Sequence, residues 1–310
     1  MAFNEIINGK GKYKILAERI EKINVSYNSE PYDGYSQESK TKINEMRKEA
    51  RDDPSLFDGH GVRLSDYSFD NGKLSLDLQH TTYFCHVATR ENIHDEKDCA
   101  KWFGCSGITL SKDGKKYLVW VGEKSPLNEI GSGQIQLLPA GAINPINDFG
   151  FDYTVKRELY EEALQKKPIY KAVKDNFEIE LLGTKKRNIK KEISGSTKRH
   201  FLDLDCRIKI CEPYMLMDML EISSFSLAHL VFLDMKKHEI EDSFNLIPEN
   251  EREFSNIQPL EFKRNYLDDY LKSEFENLRP QVRAAIGSLS RNWDYVNEKL
   301  EKGFFRKEVK

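Results

Sequence analysis

Alternating apolar and polar positions predict β-hairpins in the central part of the chain. Leucines at every second position of residues 74–78 follow Asn71-Gly72, a combination typical of a tight hairpin turn. A second hairpin is predicted where Ile108 and Leu110 lead into SKDGKK and Tyr117 to Val121 leads out. Gln134 to Leu138 predicts a further short strand that ends at Pro-Ala-Gly.

Helical spacing of apolar residues predicts helices at both ends of the chain and one in the middle. Residues 15–23 and the charged stretch 43–51 have helix-like spacing, as does much of 258–302, where Pro280 lies near a first turn. The strongest pattern runs from Asp152 to Lys166, with Asp152 as the N-cap and Pro168 beyond its end. Downstream of it we expect strands at 177–183, 200–210 and 229–234.

This order of elements predicts the fold class. Hairpin-paired strands flanked by helices favour an α+β fold with a mixed sheet over a doubly wound parallel sheet. We expect an N-terminal helical/β extension at 1–53, a central domain at 54–257, and C-terminal helices at 258–310 packed on the same domain.

Composition excludes several classes of protein. The 310 residues carry 48 Lys+Arg and 51 Asp+Glu, so the net charge of −3 excludes a globally basic nucleic-acid binder, and we expect no nucleic-acid partner. The 34 aromatic residues (17 Phe, 14 Tyr and 3 Trp) are too many for a disordered chain. No apolar run is long enough to span a membrane, and the start lacks a signal-peptide core. Five cysteines without a CxxC pair argue against a disulfide framework. We therefore expect a cytoplasmic protein.

Candidate chemistry is concentrated in the central helix, in the run Arg157-Glu158-Leu159-Tyr160-Glu161-Glu162. Glu158 lies beside both Glu161 and Glu162 on such a helix. Three neighbouring carboxylates repel one another unless a cation neutralises them, and Mg²⁺ or Mn²⁺ prefers such oxygens. Arg157 can pair with Glu161 one turn on. The alternative is a solvated acidic helix face in a highly charged chain.

In this run the sequence resembles the Nudix hydrolase superfamily. The family box is a Gly, a spaced Glu, and then Arg-Glu-aliphatic-x-Glu-Glu-x-Gly. Five positions match in register, and a Gly precedes them at a distance two residues longer than in the family. The first family Glu falls on Phe149, where Asp148 or Asp152 could substitute, and the Gly after the paired Glu is Leu164. The matching residues are Arg157, Glu158, Leu159, Glu161 and Glu162, with Gly141 upstream.

The upstream layout is similar to the Nudix branch that acts on nucleoside diphosphate sugars. It consists of DPSLFDGHGVRLSDYSF, a strand ending in FCHVATRE, and GCSGITLSKDGKKYLVW. The resemblance covers residues 54–240 and implies an α/β/α sandwich with helical extensions at both ends.

The resemblance also implies a reaction, which is metal-dependent hydrolysis of a nucleoside diphosphate linked to another moiety, such as a sugar. It implies Glu158 and Glu162 as ligands of Mg²⁺ or Mn²⁺, with the Gly141 carbonyl as a further ligand. Glu161 is implied as a third ligand or the general base, and Arg157 as the residue that orients the carboxylates. One more acidic ligand is expected from a later segment, with Glu239, Glu241 and Asp242 as candidates.

Other interpretations stay open. Because the box is altered, the chain could instead be a catalytically degenerate Nudix-fold nucleotide-binding or sensor protein. The helices at its ends could form a homodimer interface. The basic run 185–191 is a weaker candidate for an RNA contact. His94 and the cysteine pairs lack the spacing of common zinc sites. Trp102, Tyr117 and Trp120 could stack on a base, although strand aromatics more often belong to the core.

Overall fold

The computed structural model describes residues 5–6, 13–53, 56–92, 95, 97–126, 133–145, 150–164, 177–179, 187–189, 207–220, 224–249 and 252–305. Twelve strands form one mixed sheet, and two short strands pair separately. Helices cover the large sheet. The predicted α+β class with a mixed sheet is therefore confirmed.

Fourteen strands and seven helices are found in the described residues. The strands are β1 Glu5–Ile6, β2 Tyr13–Glu18, β3 Lys22–Pro31, β4 His60–Asp70, β5 Lys73–Thr82, β6 Trp102–Asp113, β7 Lys116–Lys124, β8 Ile135–Leu137, β9 Ala140–Ala142, β10 Phe177–Ile179, β11 Arg187–Ile189, β12 Ile208–Met219, β13 Ser224–Leu233 and β14 Phe254–Glu261. The helices are α1 Gln37–Asp52, α2 Tyr83–Thr89, α3 Phe151–Glu162, α4 Lys237–Asn245, α5 Arg264–Ser273, α6 Pro280–Arg291 and α7 Trp293–Phe305.

The sheet opens where its central strand diverges from a neighbour. The main strand order is β1-β2-β12-β13-β6-β4-β5-β3, and β6 and β13 run parallel. β7 pairs with the far end of β6 and then separates from it. Beyond that point β8 pairs with β7, whereas β9 pairs with β6. The divergence of β6 and β7 positions the cleft described below.

The core has two layers, one on each face of the sheet. On β13, Leu227 and Val231 belong to one apolar cluster, and Leu230 and Phe232 to another. Because successive strand residues point to opposite faces, the clusters lie on opposite sides of the sheet. The first cluster includes residues of α3 and α4, and the second includes residues of α5 to α7. This arrangement is the expected α/β/α sandwich.

The predicted hairpins are confirmed. β4 and β5 pair around Asn71 and Gly72, which have φ angles of 47° and 77°, values that suit this pair of residue types. β6 and β7 form the second hairpin. The helix predicted at 43–51 lies within α1, and Pro280 occupies the first turn of α6. The strand predicted at 229–234 lies mostly within β13.

The helix predicted at 15–23 is wrong, because this segment forms parts of β2 and β3. Tyr13, Ile15 and Ala17 are buried at alternate positions, which is the period of a strand. β2 pairs with β12 and β3 with β5. Long-range pairing therefore overrides the local spacing, and the N-terminal segment belongs to the same sheet.

Three further boundaries differ from the prediction. The segment FCHVATRE does not end a strand, because Tyr83–Thr89 is helix α2. Residues 258–261 are strand rather than helix, since β14 pairs with β7 and tolerates Pro259 at a sheet edge. The central helix is capped by Gly150, not by Asp152, which lies in its first turn, and it ends at Glu162.

Some predictions fall on residues outside the described part of the chain. These are residues 165–166, 180–183 and 200–206, and the basic run 185–191 except Arg187–Ile189. The four cysteines that are described, Cys85, Cys99, Cys105 and Cys211, are free thiols. Among the described helices, none combines the length and apolar character needed to cross a bilayer.

Candidate functional site

Helix α3 directs two of its glutamates toward β9. Val155 and Leu159 are buried in the core, with 1% and 0% of their surfaces exposed, and α3 packs against β9, β6 and β12. Glu158 and Glu162 are four residues apart and therefore share a helix face. Contacts with Gly141 and Ala140 place both side chains at β9.

Glu162 is the most deeply buried acid of the site, with 4% of its surface exposed. Its Oε2 accepts a hydrogen bond of 3.2 Å from the Ala140 amide. Its Oε1 is buried without a hydrogen-bond partner among the described residues. Burial raises the pKa of Glu162 well above its usual value, and the nearby negative charge of Glu158 raises it further. A proton or a bound cation would relieve this arrangement.

Glu158 packs directly on Gly141. A Cβ at position 141 would lie 2.1 Å from the carboxyl carbon of Glu158, so only glycine leaves room for the carboxylate in this position. Gly141 and Glu158 are therefore in direct contact, while the role of the Gly141 carbonyl as a metal ligand stays a prediction. It places Glu158 beside the strand that also binds Glu162.

Arg157 connects the other carboxylates. Its Nη1 lies 2.7 Å from Glu158 Oε1 and 3.2 Å from Glu161 Oε2, so the pair with Glu161 expected from the spacing is present. Its Nη2 donates to the Ala142 carbonyl at 3.3 Å. The guanidinium thus fixes Glu158 and Glu161 relative to β9. Glu161 is the most exposed of these carboxylates, with 29% of its side chain exposed.

The donors fit a divalent cation in part. Glu158 and Glu162 lie close enough to repel each other, and one buried oxygen of Glu162 lacks a partner among the described residues. Both are hard oxygen donors of the kind that Mg²⁺ and Mn²⁺ prefer. However, no three His, Cys, Asp or Glu side chains of the described residues converge as a metal-binding group. Among the described residues, Glu158 and Glu162 thus offer two carboxylates to a cation, and Arg157 binds Glu158 as well as Glu161.

A cleft of about 690 Å³ is lined by Ala140 and Gly141, the two β9 residues that contact these carboxylates, and by residues of β6 and β7. Its volume falls in the range typical of small-molecule sites. The walls come from six strands, the N-terminus of α2 and the start of α6. The lining residues are Tyr83, Trp102, Gly104, Cys105, Lys124, Gln136, Ala140, Gly141, Met219, Ser224, Phe225, Ser226, Glu253, Arg279 and Gln281.

Among the described residues, three side chains of the Lys, Arg, Asp and Glu types line this cleft: Lys124, Glu253 and Arg279. Lys124 forms an ion pair with Glu253 and is 8% exposed. Burial lowers the pKa of Lys124, and the positive charge of Arg279 contributes in the same direction, whereas Glu162 opposes it. The β7 side of the cleft is therefore basic. Glu158 and Glu162 of α3 do not line the cleft themselves, but they contact Gly141 and Ala140 of β9, which do.

The β6 side of the cleft is aromatic. Trp102 stacks on His86, with ring centroids 5.4 Å apart, and contacts Tyr83 edge-on at 6.3 Å. Its ring also packs over Gly61. Phe225 lies on the neighbouring strand. Such a wall can stack on a planar ring of a ligand.

Several residues predicted for the site lie elsewhere. Glu239 caps its own helix α4 by accepting from the Lys236 amide at 2.7 Å and binds Arg207, and Glu241 pairs with Lys237. Asp242 lies on the same helix. Trp120 is fully buried and donates to Ser111, so of the two strand tryptophans only Trp102 lines the cleft. Asp148, Phe149 and His94 lie outside the described residues.

Sequence reasoning missed most of the cleft. Lys124, Gln136, Arg279 and Gln281 come from three separate segments of the chain, and none belongs to a motif. The local signals were weak. Lys124 is a basic residue three positions after a predicted strand, and Arg279 comes just before a helix-starting proline. Such positions are common, so the fold was needed to bring them together.

Comparisons with known proteins give a distant structural likeness. No protein-family model matches the sequence, and no curated protein matches it. A crystal structure of Shewanella oneidensis NrtR is similar at 14% identity and a TM-score of 0.28, over 55% of this chain and 54% of that one. NrtR complexed with a 27mer DNA gives 14% identity and a TM-score of 0.27, over 55% and 53%. The present chain thus spans about half the length of the structures it matches.

Proposed function

We propose that this protein is a Nudix-type enzyme that binds a nucleoside diphosphate derivative in the cleft lined by Lys124, Arg279 and Trp102 and hydrolyses its phosphoric anhydride with Mg²⁺ or Mn²⁺. The observation that carries the proposal is Glu162, a buried carboxylate with one oxygen that lacks a partner among the described residues. It lies beside Glu158 and next to a cleft that carries cationic and aromatic side chains.

The cation has a clear place in this proposal. Glu158 and Glu162 would hold it, and it would neutralise charge on the phosphate oxygens and lower the pKa of a bound water. Arg157 orients Glu158 and keeps Glu161 close by, where Glu161 can accept a proton from the attacking water.

The opposite walls of the cleft suit the two parts of such a substrate. Lys124 and Arg279 face the site with positive charge, which favours phosphate oxygens. Trp102 and Phe225 offer aromatic surface to a base or a sugar. A ligand that is anionic at one end and planar at the other matches both walls.

The test is hydrolysis of UDP-glucose and ADP-ribose with Mg²⁺ or Mn²⁺, by the wild type and by Glu162→Gln. We expect the variant to lose activity by about 100-fold, because it removes an anionic ligand of the cation. Glu241→Gln is the matched control, since Glu241 pairs with Lys237 on α4. Full activity in Glu162→Gln, or no hydrolysis of either substrate by the wild type, would contradict the catalytic proposal.

A second candidate function is nucleotide binding without hydrolysis. It is favoured by two observations: Arg157 engages both Glu158 and Glu161, and no three acids of the described residues converge as a metal-binding group. In that case UDP-glucose or ADP-ribose raises the melting temperature of the wild type but is recovered intact after prolonged incubation with Mn²⁺. Release of a nucleoside monophosphate would exclude this alternative.

A further inference from the structure

Two described residues of the C-terminal extension, Arg279 and Gln281, line the cleft, and Arg279 is the basic one of the two. The backbone around it is attached to the sheet: the Arg279 amide donates to the Ile135 carbonyl at 3.0 Å, and Leu278 forms a parallel bridge with Ile135. Leu278 is fully buried. The position of Arg279 is therefore fixed by β8 and by the core below it.

The guanidinium of Arg279 has hydrogen-bonding capacity to spare. Its Nη1 donates to Gln136 Oε1 at 2.6 Å, and a guanidinium carries five N–H donors in all. Among the described residues, no carboxylate forms an ion pair with Arg279, for which its oxygen would have to lie within 4.0 Å of a guanidinium nitrogen. Burial lowers the pKa of Arg279 from its usual value, which reflects the cost of keeping this charge in the cleft without an anion.

A second cation faces the same space. Lys124, at the end of β7, lines the cleft with Arg279. Its charge interacts favourably with Glu162 and unfavourably with Arg279. Glu253 neutralises one of the two charges, so the three ionisable acidic and basic side chains of the lining leave one net positive charge. An anion that binds between two positive charges in one cleft relieves the repulsion between them.

We propose that Arg279 and Lys124 form a phosphate subsite, and that the C-terminal extension thereby completes the ligand site of the central domain. The inference rests on the proposed function, because it assigns one phosphate of the same nucleoside diphosphate to these two residues. Gln136 orients Arg279 toward the bound phosphate. A nucleoside without phosphate makes no use of this subsite.

The experiment measures binding of ADP, UDP, adenosine and uridine by calorimetry, with Mg²⁺ and separately with EDTA. We expect Arg279→Gln to weaken binding of ADP or UDP by about 10- to 100-fold, the range for charge-assisted hydrogen bonds, and to leave nucleoside binding unchanged. The affinity of Arg279→Lys for ADP and UDP should lie between those of the wild type and of Arg279→Gln. Arg264→Gln, on the same extension but paired with Asp294, should match the wild type.

The outcomes separate this inference from the proposed function. If the wild type binds ADP or UDP and Arg279→Gln binds them equally well, the phosphate subsite is wrong and the proposed function stands. Equal weakening of diphosphate and nucleoside binding also overturns the subsite, because it shows a change in the shape of the cleft. If the wild type binds none of the four compounds, the proposed function itself fails. Melting temperatures identify a variant that does not fold, in which case Arg279→Lys provides the comparison.

Discussion

At the scale of single residues, burial decides what the ionisable groups can do. Glu162 is buried with one oxygen lacking a partner among the described residues, and its pKa is raised. Arg279 and Lys124 are cations whose pKa values are lowered by burial. Each group is thus held in an environment that disfavours its charge. Such groups cluster at binding sites, where a ligand compensates for the cost.

His229 gives a prediction about stability and pH. It is buried on β13, and burial lowers its pKa from 6.5 to about 4. The unfolded chain therefore binds a proton at this histidine more readily than the folded one does. The contribution of neutral His229 to stability is fully present above pH 6.5 and is lost as the pH falls toward 4. We expect His229 to account for a loss of about 2–3 kcal/mol in the free energy of unfolding between pH 7.5 and 4.5.

Urea unfolding of the wild type and His229→Gln at several pH values checks this contribution. The variant should show a shallower fall of the unfolding free energy with decreasing pH, whatever its stability at neutral pH. His238→Gln controls for loss of a solvent-exposed histidine. An unchanged slope in His229→Gln would show that this histidine is not the group that titrates.

At the scale of elements, the sequence predicts what local patterns determine. The hairpin at Asn71-Gly72 and the acidic helix α3 were predictable, because turn residues and helical periodicity act over a few residues. β2 was missed because its partner β12 lies about 200 residues away, and nothing near residue 15 signals that pairing. Likewise the pairing of Arg157 with Glu161 follows from helical spacing, whereas the contact of Glu158 with Gly141 needs the packing of α3 on β9.

That contact gives a prediction for Gly141→Ala. The added methyl group would overlap the Glu158 carboxyl group, so the side chain must move away from β9 and from Glu162. The atoms that must move form the end of the flexible Glu158 side chain, so we expect the free energy of unfolding to change by about 1 kcal/mol or less. Because Glu158 is a proposed ligand of the cation, its displacement should lower Mn²⁺ affinity and hydrolysis at least about 10-fold.

Gly287→Ala on α6 is the matched control for this change. A Cβ there makes only ordinary contacts, the nearest at 3.4 Å, and alanine in a helix stabilises by roughly 0.4–1 kcal/mol. It should leave Mn²⁺ affinity unchanged. Isothermal titration of Mn²⁺ and thermal unfolding measure both quantities. Wild-type Mn²⁺ affinity in Gly141→Ala would show that the position of Glu158 against β9 does not matter for the cation.

At the scale of the whole molecule, the cleft exists because distant segments share one sheet. Its walls come from β6, β7 and β13 as well as from the start of α6. No local sequence pattern predicts that these segments come together. The sequence predicted helices after residue 257 that pack on the central domain. In the structure, β14 extends the sheet across that boundary, and apolar residues of α5 to α7 share a cluster with the sheet.

Leu289→Ala tests whether the extension and the sheet unfold together. Leu289 is fully buried on α6, in the apolar cluster that also contains residues of β6, β7 and β13. Its truncation should lower the free energy of unfolding by about 2–5 kcal/mol, the usual range for a buried leucine. Because both parts share that cluster, circular dichroism and tryptophan fluorescence should show one coincident transition at a lower urea concentration. Leu246→Ala, at the exposed position directly after the end of α4, should change stability by less than about 0.5 kcal/mol. A different result would be two transitions, of which Leu289→Ala shifts only the one at the lower urea concentration. The C-terminal helices would then unfold as a separate unit, and Arg279 would be attached to the cleft less firmly than its bonds to β8 indicate.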